Sequence, residues 1–175
     1  MKIMLIGTSG SGKSTLAQTL GQRYGFPVLH LDAVHFLPGW VERPLEEERA
    51  LVERFLDEHT DWIIDGNYHK TCYERRLAEA DRILVLWFGR LVCLERVTRR
   101  WRQNRGRTRS SMAAGCEEKL DAEFIWWVLY RGRRKAFRQR IQSIARQYPE
   151  KTVLLHSQRE LDRYLAQISG TDRPE

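Results

Sequence analysis

The residues from Gly7 to Ser14 have the types and spacing of a phosphate-binding loop. They read GTSGSGKS and fit the pattern G-x-x-x-x-G-K-[ST], after an apolar run and before a helical pattern. Glycines let such a loop wrap a phosphate chain, so that backbone N–H groups and a helix N-terminus face the anion. The alternative is a glycine-rich turn that only joins a strand to a helix. We predict that the loop binds the phosphates of ATP through Gly7, Thr8, Ser9, Gly10, Ser11, Gly12, Lys13, Ser14 and Thr15.

Three side chains of this region suit phosphoryl transfer. Lys13 would reach the β- and γ-phosphates, and the hydroxyl of Ser14 would ligate Mg²⁺. Asp65 ends the apolar run WIID, where a carboxylate would hold Mg²⁺ directly or through water. A turn or helix-capping aspartate is the alternative for Asp65. Gly66, which follows it, indicates that the backbone passes close to another group.

A second group of side chains could hold the molecule that accepts the phosphoryl group. Asp32 ends the second apolar run, PVLHL, and would orient or deprotonate an acceptor hydroxyl; a structural cap is the alternative. The other candidates for acceptor binding are His35, Trp40, Arg43, Gly66 and Asn67. For His35 and Trp40, packing of a loop against the core is an equal alternative.

Arginines are concentrated in two segments of the chain. Residues 90–109 hold eight arginines and one acid, and residues 131–140 hold six further basic side chains. The whole chain has a net charge of +7, so the rest of the chain is acidic. This uneven distribution indicates an anionic ligand at one place more than a uniformly basic surface.

The first arginine segment has helical spacing and then loses it. Arg96, Arg99 and Arg100 lie three and four residues apart, so one helical face would present all three. Arg105 and Arg107 follow in an aperiodic stretch. Guanidinium groups stabilise the negative charge of a phosphoryl group in transfer. A solvated basic face without a ligand is the alternative.

Five short apolar runs alternate with helical patterns, which predicts an α/β domain with a parallel sheet covered on both faces. Ligands of such folds bind outside the carboxyl ends of the strands. The predicted strands are 2–7, 27–31, 61–65, 81–88 and 151–156, and the predicted helices are 13–24, 44–59, 90–104, 121–148 and 157–168. We expect a loop or short helix after the second strand and a frayed tail over 170–175.

Other features bear on the class of protein. The three cysteines have no CxxC spacing and no histidine at ligand distance, so we expect neither a zinc site nor a disulfide. No apolar run approaches the length of a membrane span, and the first residues are too short for a signal peptide. These features favour a cytoplasmic protein without a membrane partner.

The P-loop pattern, the stretch WIIDGNY and the stretch LDAVHFLPGW together resemble the adenylate-kinase-like proteins described as DNA topology modulation (FlaR-related) proteins. The resemblance covers residues 1–169. It implies one P-loop NTPase domain of three layers, with a five-stranded parallel sheet in the order 2-3-1-4-5. It also implies an acceptor region after the second strand and a mobile, arginine-bearing lid at about 104–120. Adenylate kinases carry a sequence of the type DGFPR here, whereas this chain has DGNYHK, so the acceptor need not be AMP.

These features predict an ATP- and Mg²⁺-dependent kinase with a small acceptor, whose transition state is neutralised by Lys13 and by one or more of Arg96, Arg99, Arg100, Arg105 and Arg107. The alternative is a nucleotide-dependent regulator that touches DNA or RNA. Its support is the second basic segment, which lies near Trp126, Trp127 and Tyr130. No known nucleic-acid-binding signature accompanies that segment, so nucleic acid is the less favoured partner. The sequence predicts neither the acceptor nor the oligomeric state.

Overall fold

A computed structural model describes residues 1–171 of the chain, with side chains over residues 1–168. The strands of this part are β1 (Lys2–Gly7), β2 (Val28–His30), β3 (Phe36–Leu37), β4 (Val41–Glu42), β5 (Trp62–Asp65), β6 (Arg82–Leu86) and β7 (Thr152–Leu155). The helices are α1 (Lys13–Tyr24), α2 (Leu31–His35), α3 (Leu45–Glu58), α4 (Tyr73–Glu79), α5 (Arg90–Gln103), α6 (Ala122–Leu129), α7 (Lys135–Gln147) and α8 (Gln158–Thr171).

Five of the strands form one sheet in the order β2-β5-β1-β6-β7, and every pairing in it is parallel. Counted over these five strands alone, the order is 2-3-1-4-5. The structure differs from the prediction by two additional short strands, β3 and β4, which form an antiparallel hairpin outside the sheet. In a parallel sheet the carboxyl ends of all strands lie at one edge, so Gly7 and Asp65 end side by side.

Helices cover both faces of the sheet, as the alternation of runs predicts. Met4 and Ile6 of β1 pack into one core with α2, α3, α4 and α7. Ile3 and Leu5 of the same strand pack into a second core with α1, α5, α6 and α8. Successive side chains of a strand point to opposite faces, so a strand buried on both faces is apolar throughout.

The region after β2 departs from the predicted boundaries. The strand ends at His30, and Asp32 lies in the first turn of the short helix α2 instead of at the strand end. A further helix, α4, was not predicted. Its seven residues are too few for a clear periodic pattern, although the pair Arg75 and Glu79 has helical i,i+4 spacing and forms an ion pair of 2.6 Å.

The single helix predicted over 121–148 is wrong. Helix α6 ends at Leu129, a 3₁₀ turn covers Arg131–Arg133, and α7 begins at Lys135. Gly132 packs so closely against Trp127 that an added Cβ would lie 3.0 Å from the indole nitrogen. The break turns the side chain of Arg133 into the protein, where it is 8% exposed.

The carboxyl-terminal helix α8 begins with the predicted capping arrangement, since Ser157 Oγ accepts a hydrogen bond of 3.2 Å from the N–H of Glu160. The helix extends to Thr171, further than predicted, and residues 172–175 of the predicted frayed tail lie outside the described residues. Over residues 1–171, the structure contains no helix with the length and apolar character needed to cross a bilayer.

Candidate active site

The loop between β1 and α1 (the P-loop, residues 7–15) presents an uncapped helix N-terminus. Gly12 precedes α1 in a left-handed conformation, with φ of 96°, and no side chain caps the helix. The first helical hydrogen bond in this region is donated by Leu16 N–H to Gly12 O, at 2.9 Å. The N–H groups of Lys13, Ser14 and Thr15 precede that bond and are therefore available to an anion.

Gly10 is the position of the P-loop where a side chain is least tolerable. Its φ is +79°, and an added Cβ would lie 2.5 Å from the carbonyl oxygen of Cys93 and 2.8 Å from Cγ1 of Val97. Both neighbours belong to α5. The loop thus rests directly on that helix, so the position of its free N–H groups depends on this contact.

We expect Gly10→Ala to lower the free energy of unfolding by about 2–5 kcal/mol, through left-handed strain and overpacking. It should also weaken ATP binding, since the loop must move away from α5. Gly25→Ala is the matched control because Gly25 has a similar φ of +70° but nothing within 4 Å of an added Cβ. Thermal unfolding and ATP titration of both variants make the comparison. Equal losses of stability would contradict the role assigned to the α5 contact.

Lys13, Ser14 and Asp65 converge at the carboxyl ends of β1 and β5. Lys13 Nζ donates to Thr8 O at 3.2 Å, which folds the side chain back across the loop. Burial raises the pKa of Asp65, but the hydrogen bond from His30 and the nearby Lys13 and Ser14 outweigh it, so the pKa is lowered. Asp65 is thus an anion at neutral pH, held by His30 Nδ1 at 3.1 Å.

The free oxygen of Asp65 matches what a magnesium ion needs. Asp65 is 4% exposed, and its Oδ1 has no hydrogen-bond partner among the described residues. Ser11 Oγ of the P-loop is likewise buried without a described partner. The described residues contain no group of three or more His, Cys, Asp or Glu side chains arranged for a metal. Mg²⁺ bound with nucleotide takes only one or two protein ligands plus phosphate oxygens and water, so Ser14 and Asp65 fit it.

Arg96 lies beside the P-loop. Its Nη1 donates to Ser11 O at 2.9 Å, its Nη2 donates to Gln158 Oε1 at 2.9 Å, and its guanidinium covers the ring of Phe88 at 4.8 Å. The three arginines predicted on one helical face do not share one environment. Arg96 and Arg100 are partly buried, whereas Arg99 is exposed.

A buried arginine that the sequence did not predict as a site residue contacts the P-loop from the 3₁₀ turn after α6. Arg133 Nη2 lies 3.2 Å from Thr8 Oγ1 and 3.1 Å from Cys93 Sγ, and Nε donates to Val128 O. Burial lowers the pKa of Arg133, and no carboxylate among the described residues pairs with it. The hydroxyl group of Thr8 is therefore bonded to Arg133, whereas the backbone carbonyl oxygen of Thr8 accepts from Lys13. Gly132, inside a predicted helix, was the only sequence signal for this contact.

Asn67 and Gly66 follow β5 directly, and each makes a close contact with a neighbouring element. Asn67 Oδ1 accepts from Gly7 N–H at 3.0 Å, and its Nδ2 donates to Gly7 O at 2.8 Å. Gly66 has φ of +143°, and an added Cβ would lie 2.7 Å from Cβ of Leu31. The predicted close approach at Gly66 is thus present. Both residues hold the strand ends together and so position the P-loop.

Arg43 is also engaged elsewhere. Its Nε donates to Val34 O at 2.7 Å, its backbone N–H donates to His35 O at 2.7 Å, and Nη1 lies 3.7 Å from Glu47. Arg43 therefore closes the turn after α2.

Asp32 and His35 belong to a cluster of polar side chains near the carboxyl ends of the strands. This cluster (the polar floor) also includes Tyr68, Glu48 and Thr71. Tyr68 OH donates to Asp32 Oδ1 at 2.7 Å. His35 Nδ1 lies 2.9 Å from Glu48 Oε2, and Thr71 Oγ1 donates to Glu48 Oε1 at 2.5 Å. The buried Glu48 thus anchors His35, which makes His35 a support of the floor. Tyr68 belongs to the stretch DGNY, but the partner of its hydroxyl could not be predicted from that stretch.

The residues 104–121 (the connecting segment) have no helix or strand apart from one bridge between Thr108 and Glu117. This segment contacts the β3–β4 hairpin. Trp40 Nε1 donates to Glu117 O at 3.2 Å, and Cys116 Sγ donates to Leu37 O at 3.3 Å. Trp40 itself has φ of +66°, unusual for a bulky side chain. The hairpin, which directly follows α2 and its Asp32, is therefore held against the connecting segment.

Glu118 of the connecting segment pairs with two arginines, one from α5 and one from the segment itself. Arg100 Nε lies 3.2 Å from the Glu118 carboxylate, and Arg109 forms an ion pair with the same carboxylate. Burial and the neighbouring Arg109 lower the pKa of Arg100, while Glu118 and Asp32 raise it. Arg105 is exposed and covers the ring of Trp101 at 5.4 Å, and Arg107 is exposed.

A surface cleft of about 210 Å³ lies between α4 and α7, away from these residues. Its lining includes Tyr73 and Arg140 but no residue of the P-loop, and a second cleft next to it also excludes the P-loop. We locate the candidate site at the P-loop because the uncapped N–H groups and the free carboxylate oxygen converge there.

Comparisons with known proteins identify the fold. No protein-family model and no curated protein matches the sequence. Deoxyadenosine kinase from M. mycoides, in a structure with bound dATP, is 16% identical with a TM-score of 0.55, over 97% of this chain and 100% of that chain. TT1252 from Thermus thermophilus is 17% identical with a TM-score of 0.55, over 99% and 98%. An uncharacterised protein from Eubacterium ventriosum is 14% identical with a TM-score of 0.53, over 99% of both chains. At these identities the likeness shows the fold alone, and that fold is the α/β fold that this chain shares with the deoxyadenosine kinase structure.

Proposed function

We propose that this protein is an ATP- and Mg²⁺-dependent kinase of the nucleoside-monophosphate-kinase type, which transfers the γ-phosphoryl group of ATP to a small acceptor. The observation that carries the proposal is the convergence of the uncapped start of α1, Lys13 and the free Oδ1 of Asp65 at one edge of the sheet. The likeness in fold to deoxyadenosine kinase supports a phosphotransferase. The domain covers residues 1–169.

The donor half of the site would work as follows. The N–H groups of the P-loop hold the phosphate chain, and the ammonium group of Lys13 moves from Thr8 O to the β- and γ-phosphates. Arg96, already beside Ser11, adds positive charge at the same loop. Ser14 and Asp65 hold Mg²⁺, which when bound polarises the phosphate oxygens.

The connecting segment is the proposed lid. It carries Arg105, Arg107 and Arg109, and it lies against Arg100 through Glu118. A lid that closes over ATP and acceptor excludes water, which would otherwise accept the phosphoryl group. Its contacts with Trp40 and Leu37 support this role, because they join the lid to the acceptor side.

The experiment that tests the proposed function uses two triple variants that remove the same charge. Alanine at Arg105, Arg107 and Arg109 should lower turnover about 100-fold, since these groups stabilise charge on the transferring phosphoryl group. Alanine at Arg134, Lys135 and Arg138, all exposed on the α7 side, is the matched control and should leave turnover unchanged. ATP with Mg²⁺ should also protect the connecting segment from protease. Normal turnover in the first variant would contradict the lid.

The alternative function is a DNA-associated regulator with little kinase activity. One observation favours it: Trp126, Trp127 and Tyr130 are 44–55% exposed, and Arg90 and Arg131 cover two of their rings. Aromatic rings beside arginines suit single-stranded nucleic acid. In that case DNA affinity should fall with salt with a slope of about −0.9 per phosphate neutralised. Alanine at Arg105, Arg107 and Arg109 should then flatten that slope while sparing ATP turnover.

A further inference from the structure

The floor of the acceptor side carries an unneutralised carboxylate. Asp32 is partly buried, and Tyr68 OH donates to its Oδ1 at 2.7 Å. Burial and the neighbouring Asp32 raise the pKa of Tyr68, so the phenol keeps its proton and acts only as donor. No described residue donates to Oδ2 of Asp32. This oxygen is therefore the polar group that an acceptor would meet first.

Two arginines beside the same floor, Arg43 and Arg76, donate to carbonyl groups of the protein, although Arg76 Nη1 is buried without a described partner. Arg43 donates to Val34 O and lies near Glu47. Arg76 is 0% exposed and donates to Thr71 O and to Tyr68 O, and burial lowers its pKa to about 10. A phosphate group on the acceptor would have to compete with these carbonyl groups for either guanidinium.

Under the proposed function, the cations on the lid side of the site neutralise the phosphoryl group in transfer. Arg100 and Arg109 share the single buried carboxylate of Glu118, so the three side chains together carry one net positive charge. Burial and the neighbouring Arg109 lower the pKa of Arg100 and Asp32 opposes this, so Arg100 lies within electrostatic reach of Asp32. These cations would act on the phosphoryl group together with Lys13 and the exposed arginines of the lid.

Aromatic rings from α2, from the β3–β4 hairpin and from Tyr68 form a wall near Asp32. The rings of His35 and Tyr68 lie 4.6 Å apart, and those of Phe36 and Trp40 lie 5.2 Å apart. Trp40 is held to the connecting segment by its hydrogen bond to Glu117. Such a wall suits the flat or apolar face of a ring, as in a nucleobase or a sugar.

On the basis of the proposed kinase function, we infer that the acceptor is an uncharged, ring-bearing hydroxyl compound that carries no phosphate, and that Asp32 sets this preference. In the transfer, the acceptor oxygen bonds to the γ-phosphorus while the bond from that phosphorus to the bridging oxygen breaks. ADP leaves with the electron pair of that bond. The hydroxyl proton passes to Oδ2 of Asp32 and then to solvent.

Matched acceptor pairs test the inference. ATP labelled at the γ-phosphate is incubated with the protein and with adenosine or AMP, thymidine or thymidine monophosphate, and glucose or glucose 6-phosphate. We expect kcat/KM for the uncharged member of at least one pair to exceed that of its phosphate ester by about 100-fold, because like charges oppose each other at Asp32. The nucleoside and sugar pairs distinguish the two sources of a ring-bearing hydroxyl.

The outcomes separate this inference from the kinase function. Faster transfer to the phosphate esters overturns the inference and leaves the kinase function standing. Transfer to no member of any pair also overturns the inference. ATP binding that is insensitive to Lys13→Ala would then overturn the kinase function as well.

Asp32→Asn tests the residue that we hold responsible. We expect kcat for the best uncharged acceptor to fall about 100-fold, the usual contribution of a positioned base. The ATP dissociation constant should not change, and the preference over the phosphate ester should shrink about tenfold because the repelling charge is gone. Asp57→Asn, at an exposed position of α3, is the control and should change none of these values.

Thermal unfolding checks that both variants fold, and Asp32→Ser provides a second, smaller replacement. An unchanged preference in Asp32→Asn and Asp32→Ser, together with reduced turnover, would overturn the assignment of specificity to Asp32.

Discussion

Lys13→Ala should lower kcat for ATP-dependent transfer about 10³- to 10⁵-fold, the range that one added positive charge contributes to phosphoryl transfer. The ammonium group of Lys13 donates a hydrogen bond to Thr8 O and lies near Asp65, and the P-loop is shaped by its glycines, so the fold should remain intact. Product formation from ATP and the best acceptor measures the loss. Thermal unfolding measures the stability of the variant.

The matched control is Lys135→Ala, which removes the same charge from the exposed start of α7. This variant should keep full turnover. A folded Lys13→Ala protein with undiminished turnover would refute the assignment of the P-loop as the donor site, whatever the acceptor is.

Asp65→Asn should lower turnover about 10³-fold at moderate Mg²⁺, since polarisation of phosphate oxygens by a metal contributes several kcal/mol. Higher Mg²⁺ should recover part of the loss, because an amide oxygen still binds the metal, though weakly. The lowered pKa of Asp65 means that the native carboxylate is ionised at neutral pH, so the loss should not depend on pH around neutrality. Titration of Mg²⁺ at fixed ATP measures the effect.

Two further variants make this measurement interpretable. Asp57→Asn repeats the same chemical change at an exposed position and should leave the Mg²⁺ requirement unchanged. Ser14→Ala removes the second proposed ligand and should shift the requirement in the same direction as Asp65→Asn. If neither Ser14→Ala nor Asp65→Asn alters the dependence on Mg²⁺, the metal site lies elsewhere.

The donor half of the candidate site could be predicted from the sequence because its signals are local. The glycines and Lys13 lie within one short stretch, and Asp65 is recognisable as the end of an apolar run. The alternation of apolar runs and helical patterns also predicted the five-stranded parallel sheet and its helical layers. In each case a few neighbouring residues determine the local structure, and the layers follow from burial.

The acceptor half depends on contacts between residues far apart in the chain. Tyr68 meets Asp32 across 36 positions, and Trp40 meets Glu117 across 77. No spacing rule connects such pairs. The sequence therefore indicated which residue types were present, but not that Asn67 would hold Gly7 or that Glu118 would join two arginines.

The arginines show the same limit most clearly. Arg133 reaches Thr8 across 125 positions, and its burial breaks a helix that the apolar periodicity predicted as continuous. Arg99 and Arg100 are neighbours, yet one is exposed and the other partly buried. A cluster of positive charge can be read from composition, whereas the direction of each long side chain is decided by the packing around it.

The neighbouring residues Asn67 and Tyr68 hold one group from each half of the site. Asn67 clasps the backbone of Gly7 through two hydrogen bonds, and Tyr68 holds the carboxylate of Asp32. The loop after β5 thus joins both halves of the proposed site, and a ligand that moved Asp32 would pull on the backbone beside Gly7. Linkage between two ligands is reciprocal, so any change that an acceptor makes in the affinity for ATP would be matched by an equal change in the other direction. Under the proposed function, these two adjacent residues would couple the binding of donor and acceptor.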